Sequence, residues 1–551
     1  IGGLAGWVSN TTLSDIGVTG TSSVIAETNW TANAGIVGYL DQSTLSNSSS
    51  SAYVYGGSGS GGLVGLMNTG SVIDNASSSG DVKAFYQAAG GLVGQQLGGS
   101  ILNSHATGDI TQGVAYGLSQ GGLVGEGSVG ALIDNSYATG SVSSATNNDG
   151  YVGGLVGDYA GTITNSYASG AVTGLNGVGG LVGRNQGSIE GSYATGQVSA
   201  TQKAGGLVGL NDTTGVVSTS YVNSVATVTA TDYSGGLVGV NLGGVTESSV
   251  ASTVVVNGVN FVGGLVGANG SFTDATASLT DSSTAAAVNA TGNQIGGVAG
   301  VNLAGITDTN ASGAVTVAAN AFAVGGLVGA NTGSISNSTA NSASVVAGAG
   351  AAPVGVNIGL QGGTYTGPSS TGTVQVDGQA TTGQDGYGYT DGLIGSFQEL
   401  NYISYFPGKD FTLGVDIDGT GVTFTPIAFY GSLDGSATPT FDGNNKTISN
   451  LSIAQAADAV GLFGKVSHAT VKDLTIDTAV IQNTASDGYN TSGSGILAGT
   501  LDHATVSNIV LNDIVITRGS GTARSYIGGL AGWVSNTTLS DIGVTGTSSV
   551  I

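Results

Sequence analysis

The sequence contains no cysteine, five prolines, one methionine, three histidines and three tryptophans in 551 residues. Without cysteine there is no disulfide framework and no thiolate metal site. With so little proline, and no strict Gly-X-Y period, the chain is not collagen-like. Charged residues are only 8% of the total, against about a quarter in ordinary globular domains. Nine basic residues against 33 acidic give a net charge of −24. That excludes nucleic acid as a partner, because phosphate contacts need Lys and Arg, and it makes an anionic membrane surface equally unsuitable. No run of 18 apolar residues is present, so no helix of this segment inserts into a membrane.

What is abundant is glycine, 101 residues, with Ser, Thr, Ala and Val. A hydrophobic content of 40% argues against disorder, which needs low hydrophobicity and high charge. Plentiful Val, Ile, Thr and Tyr point to strands. The string Gly-Leu-Val-Gly, or a near variant, recurs through the chain, and from Leu4 to Leu327 its apolar pairs lie 26 to 33 residues apart. A period of this size is the signature of a solenoid.

One period, GGLVGRNQGSIEGSYATGQVSATQKA over 179–204, shows the design. Short strands are expected around Leu181 and Val182, from Ser188 to Tyr193, and from Gln197 to Ser199. About three short strands per coil of roughly 26–34 residues specify a right-handed parallel β-helix, an all-β solenoid. The paired glycines are expected to supply a positive-φ corner and close backbone approach, while Leu and Val fill a narrow interior. Identical side chains then stack at about 4.8 Å, and columns of Asn, Ser, Thr and Tyr form ladders.

A longer repeat encloses the short one. IGGLAGWVSNTTLSDIGVTGTSSVI occupies residues 1–25 and again residues 527–551, an offset of 526. Chance does not produce 25 identical residues. The expectation is a longer protein of tandem 526-residue units, with 527–551 beginning the next unit and stacking on the coil before it. Roughly 18 coils per unit at the inter-strand spacing give a repeat about 85 Å long. The divisions expected are 1–344 as repeat helix, 345–390 as an irregular loop or junction within it, 391–460 as a continuing module, and 461–551 as further coils.

The Gly-Leu-Val-Gly repeats resemble the GLUG motif of large bacterial surface proteins and β-helical adhesins of the filamentous-haemagglutinin type. FTLGVDIDGTG, PIAFYGSLDG, TFDGNNKTISNLSI and VGLFGKVSHATVKDLTIDTA, within 411–479, are similar to the leader module that precedes such repeats. Here GSLDGSATPT, 431–440, interrupts that module and reads as a protruding loop. The resemblance implies secretion to the cell surface, a β-helical stalk, a role in structure or adhesion, and no catalytic residues.

Asp416, Asp418 and Gly419 imitate the start of a calcium loop, but position 12 is Ile427 where an EF-hand needs Glu, so a structural turn is expected. His468, His503 and Asn536 fall at equivalent positions and are expected to stack in one column, without a metal. His105 replaces the Tyr of the NSYATG motif. The acids are too dispersed for a hydrolytic carboxylate pair. No catalytic residue, cofactor or metal is therefore expected. Sequons at Asn10, Asn29, Asn47, Asn211, Asn337, Asn445 and Asn490 fit an exposed surface. The partners expected are neighbouring copies of the same unit. An alternative is recognition of glycans or another cell through the aromatic zone of Tyr365, Tyr387, Tyr389, Tyr402, Tyr405 and Phe406, whose competing role is packing of the leader module.

Overall fold

The computed structural model describes all residues except 27–31, 86–87, 113–118, 145–149, 224–225, 272–275, 342–343, 350, 352, 367–372, 377–378, 382–386, 389–392, 396, 401–402, 405–408, 422–423, 425, 432–437, 456–458, 484–491, 519–524 and 551. The chain is 60% strand and 1% helix, and the strands pair in parallel with their equivalents one coil away, as in a β-solenoid, except for the antiparallel pair Thr373–Val376 and Gln379–Thr381. The loop expected over 431–440 falls largely outside the described residues. The chain divides into two compact units, Ile1–Gly388 and Tyr389–Ile551.

In the first unit, the coil read from the sequence forms the strands Val182–Asn185, Ser188–Glu190, Tyr193–Ala194, Val198–Ser199 and Gln202–Gly205. The segment expected as one strand from Ser188 to Tyr193 is broken at Gly191, where φ is 57°. The same corner carries Asn135, Asn165, Thr219, Glu247, Asp281 and Asp308 in other coils, all with φ between 47° and 49°. Asn and Asp tolerate this left-handed conformation because their short polar side chains bond locally. Each strand meets its counterparts in register. Val182 pairs with Val156 on one side and Val208 on the other, and Ile189 with Ile163 and Val217. The Gly-Leu-Val-Gly strands build a 14-stranded sheet.

The paired glycines do not supply the positive φ expected of them. Neither Gly179 nor Gly180 has a left-handed φ; the corners are taken by Asn, Asp and isolated glycines such as Gly177. The other half of the expectation holds, and the doublet is required for close approach. A Cβ on Gly180 would lie 2.0 Å from the Gly206 carbonyl oxygen, and one on Gly154 2.1 Å from that of Gly180. Between these contacts Leu181, Val182, Ile189, Ala194, Val198 and Ala204 are buried, and the same positions form a continuous core from Val8 to Val374. Each fully buried Val or Leu contributes about 1.5–3 kcal/mol, so every coil carries its own share of stability.

The second unit repeats the plan with longer strands. Thr440–Ser449, Thr470–Asp477, Thr505–Asn512 and Thr538–Thr545 stack in one sheet, and Phe463–Ser467, Ala498–Asp502 and Ala531–Ser535 in another. Phe411, Phe429, Phe441 and Phe463 fill its interior, with the rings of Phe441 and Phe463 edge to face at 5.3 Å.

Candidate functional site

The chemistry of this chain lies in columns of side chains that run from coil to coil. The NSYATG motif generates three of them. Its Asn takes the left-handed corner, and there Asn75 donates to Asn47 at 2.8 Å and Asn135 to Asn103 at 2.7 Å. Its Ser turns inward. The hydroxyls of Ser136, Ser166, Ser192, Ser220 and Ser248 each accept the backbone N–H of the preceding coil at 3.1–3.2 Å. Each of these hydroxyls also donates to the carbonyl two residues earlier in its own coil. The ladder thus satisfies backbone groups that the corner removes from the sheet.

The Tyr of the motif turns outward. His105, Tyr137, Tyr167, Tyr193 and Tyr221 stack face to face, with centroids 4.7–5.0 Å apart and planes within 6–7°. Parallel stacking here follows from the strand spacing, since each ring is held one coil above the last. Burial, and then the neighbouring phenols, raise the Tyr167 hydroxyl above the ordinary tyrosine value. Burial lowers His105.

A fourth column occupies the interior at the end of each Gly-Leu-Val-Gly strand. Asn185 donates to Asn211, Asn211 to Asn241, Asn241 to Asn269, Asn269 to Asn302 and Asn302 to Asn331, at 2.7–2.9 Å. All six are fully buried. The same column passes earlier through Gln96, Gly127 and Tyr159. The Tyr159 ring occupies the space that a Gly127 side chain would need, since a Cβ there would be 2.1 Å from the ring, and its hydroxyl reaches Gln96 Oε1 at 3.3 Å. The sequence carried the signal, an Asn at the fourth position of the strands Val182–Asn185, Val208–Asn211, Val238–Asn241, Val266–Asn269, Ala299–Asn302 and Val328–Asn331, but nothing in the sequence placed that position inside.

The individual candidates resolve as follows. His468, His503 and Asn536 lie in register on successive coils, at φ of 51°, 49° and 46°. The two imidazoles stack at 4.7 Å, with Nδ1 of His468 on Ser467 and of His503 on Asp502. The Asp418 carboxylate accepts from Asn450 and from the Thr420 hydroxyl and amide, which lower its pKa in that order, and Asp416 accepts the Thr447 amide. Among the described residues, no three His, Asp or Glu side chains converge as a metal site, and no helix is long and apolar enough to cross a membrane.

Asn10, Asn47, Asn337 and Asn445 are exposed, but Asn211 is buried in the amide ladder, so the surface reading of its sequon is corrected. Asn29 and Asn490 lie outside the described residues. Of the aromatic zone, Tyr365 is half-buried against the core, paired with Ile335, and donates its hydroxyl to the Ser338 carbonyl at 3.3 Å. Tyr387 pairs with Leu360 in a different sheet, at the end of the 14-stranded one. Tyr389, Tyr402, Tyr405 and Phe406 lie outside the described residues. A shallow groove of about 540 Å³ opens where Gly191 leaves the corner column without a side chain, between Asn165 and Thr219. Its Asp134 is already engaged by Thr164 and Asn165.

These columns define a parallel β-solenoid built from short repeats. Four of the repeats match the GLUG motif, at residues 85–111, 148–173, 174–199 and 320–346, each about one coil. The chain is also similar to halomucin of Haloquadratum walsbyi (strain DSM 16790 / HBSQ001), with 33% identity over 149 residues. That match covers 25% of this chain and only 2% of halomucin.

Proposed function

We propose that the chain is part of an extracellular structural fibre or adhesin shaft on a cell surface, made of tandem 526-residue β-solenoid units stacked end to end. The observation that carries this reading is the duplicated coil. Residues 1–25 and 527–551 share one sequence, and their left-handed corners coincide, with φ of 51° and 46° at Asn10 and Asn536, 58° and 53° at Asp15 and Asp541, and 85° and 71° at Gly20 and Gly546.

The work such a protein does is mechanical. Every open strand edge is covered by the next coil, so edge-to-edge aggregation is suppressed along the shaft. The columns add interactions between coils that a flat sheet of apolar residues would lack. The GLUG motifs and the similarity to halomucin support a surface location, and the −24 charge suits a long, poorly charged surface that must stay soluble.

The test is the mass of the dissociated natural polypeptide on a denaturing gel. A band of several hundred kilodaltons supports covalent tandem units, and a band near 53.2 kDa overturns them.

A further inference from the structure

The two copies of the 25-residue coil are paired on opposite edges. Residues 1–25 pair only with the coil that follows: Ala5 with Val37, Val8 with Leu40, Leu13 with Leu45 and Val24 with Val54. Residues 527–551 pair with the coil that precedes: Ala531 with Ala498, Val534 with Leu501, Leu539 with Val506 and Val550 with Ile516. One sequence is therefore seen making each of the two contacts that an internal coil needs. We propose that residues 527–551 are a junction coil whose second edge is taken by residues 33–56 of the following unit, in the register that residues 1–25 display. This rests on the tandem reading and adds the partner segment and its register.

Three observations carry it. The first is that the hydrogen-bonding groups are complementary. The backbone N–H of Asn10 donates forward to the Asp41 carbonyl, while the carbonyl of Ser535 accepts from the His503 N–H behind it. The amide of Thr11 donates to Ser43 Oγ, and the Thr537 hydroxyl accepts from the Ala504 amide. The first two bonds use the carbonyl and the N–H of one peptide unit, Ser9–Asn10 in the first copy and Ser535–Asn536 in the second, and the other two use the amide and the hydroxyl of one Thr, so a single coil makes both contacts at once.

The second is exposure. Val534 is 45% exposed, Leu539 43% and Val550 51%, whereas Val8 and Val24, covered by residues 33–56, are 8% exposed. The junction buries what the one-sided copy leaves in water, in inward columns Leu501–Val534–Leu40 and Val506–Leu539–Leu45.

The third is that the coil is a chemical hybrid. At the first corner it has Thr11, a hydroxyl like Ser43 beside it, where the second unit has Ala469 and Ala504. At the next inward position it has Ile542, like Leu474 and Ile509 in register with it, where the first unit places Ser48, whose hydroxyl accepts the Ile16 amide. A coil matching one unit type on each side is what a transition between them requires.

The test is a recombinant two-unit chain, residues 1–551 continued by a second pass through 26–551, with cysteines introduced into the otherwise cysteine-free sequence. One variant carries Ser535→Cys in the junction coil and Asp41→Cys in the following unit. A second replaces Asp41→Cys with Tyr39→Cys, two residues out of register. A disulfide needs Cα atoms about 4.4–6.8 Å apart. The first variant is expected to lose both free thiols under mild oxidation, as does the Ser9→Cys/Asp41→Cys control in the 551-residue chain, and the second to keep both. Free thiols in the first variant with a closed control, or closure of the second, overturn the proposal. Either result is independent of the natural polypeptide's mass, which alone decides whether the units are tandem.

Discussion

Asn241 donates its side-chain amide to Asn269 Oδ1 at 2.8 Å, and both residues are fully buried. Asn241 simultaneously accepts from Asn211 and donates to the Ser278 carbonyl. A buried amide is tolerated only when its polar atoms are engaged. Here the strand spacing brings an identical amide within reach above and below, so repetition itself supplies the partners. Replacing Asn241→Leu removes the donor to Asn269 and the acceptor for Asn211. A buried group left without its partner costs about 1–3 kcal/mol. The expected result is faster amide exchange in the coils at 211, 241 and 269, with distant coils unchanged because each coil contacts mainly its neighbours.

The tyrosine stack makes a second prediction. Tyr167 lies 4.8 Å from the Tyr137 ring and 4.9 Å from that of Tyr193. Each aromatic pair is worth about 0.5–1.5 kcal/mol beyond area burial, so Tyr167→Ala is expected to destabilise its coil by about 1–3 kcal/mol and Tyr167→Phe by far less. Local exchange at Tyr167 and Ala168 separates the two. The raised Tyr167 pKa has a definite sign: the fold favours the neutral phenol, so this contribution is present below the unfolded value and is lost as pH rises through the folded one. Absorbance titration should show a group of phenols, Tyr167 with Tyr53, Tyr159, Tyr193, Tyr233 and Tyr430, ionising later than free tyrosine, and Tyr167→Phe should reduce that late component by one phenol.

The solenoid class was legible because the period of the Gly-Leu-Val-Gly string is also the period of the structure. Ile163, Ile189 and Val217 stack as the repeated pattern requires. What the sequence concealed were features that depend on the neighbouring coil. Asn185 is as polar as Asn165, yet one is buried in a ladder and the other forms an exposed corner. Only the register, which puts Asn185 opposite Asn211, separates them. The glycine doublets were read half correctly, for close approach but also for a positive φ that they do not have, for a similar reason. Composition announces conformational freedom, but Gly180 is constrained by the Gly206 carbonyl, an atom 26 residues away in sequence. The stacking of His468 on His503 was legible, because both follow a Gly-Leu-Phe-Gly-like string at the same distance.

Gly180→Ala tests the close-approach reading. The added Cβ would sit 2.0 Å from the Gly206 carbonyl oxygen, which is backbone and cannot swing aside, and 3.0 Å from Ala194 Cβ. Overpacking of this kind costs about 1–3 kcal/mol. The control is Gly130→Ala, where no atom lies within 4 Å of the new Cβ but φ is +83°. That substitution strains only an exposed corner. Gly180→Ala is expected to lower the temperature of unfolding more than Gly130→Ala; equal effects would mean that conformational freedom, not space, is what the doublet provides.

Acid should act unevenly along the chain. Hydrogen bonds hold Asp134, Asp418, Asp473, Asp502 and Asp513 below the ordinary carboxylate value of 3.8; the largest causes are Thr164, Asn450, Asn508, Ser535 and the Thr547 amide respectively. A depressed folded pKa contributes stability that is present above the unfolded value and lost as pH falls through the folded one. Stability should therefore hold from neutrality to about pH 5 and fall below about pH 4. Four of the five carboxylates lie between Asp418 and Asp513, so the second unit should lose amide protection first. Neutralising a net charge of −24 relieves self-repulsion everywhere and opposes the loss, but it does not select those coils. Hydrogen exchange at pH 3 and pH 6 reads the difference, and Asp473→Asn, which leaves Lys472 paired with Asp442 at 2.6 Å, should reduce it locally. Uniform exchange across both units at pH 3 would show that global charge, and not these bonds, governs the acid response.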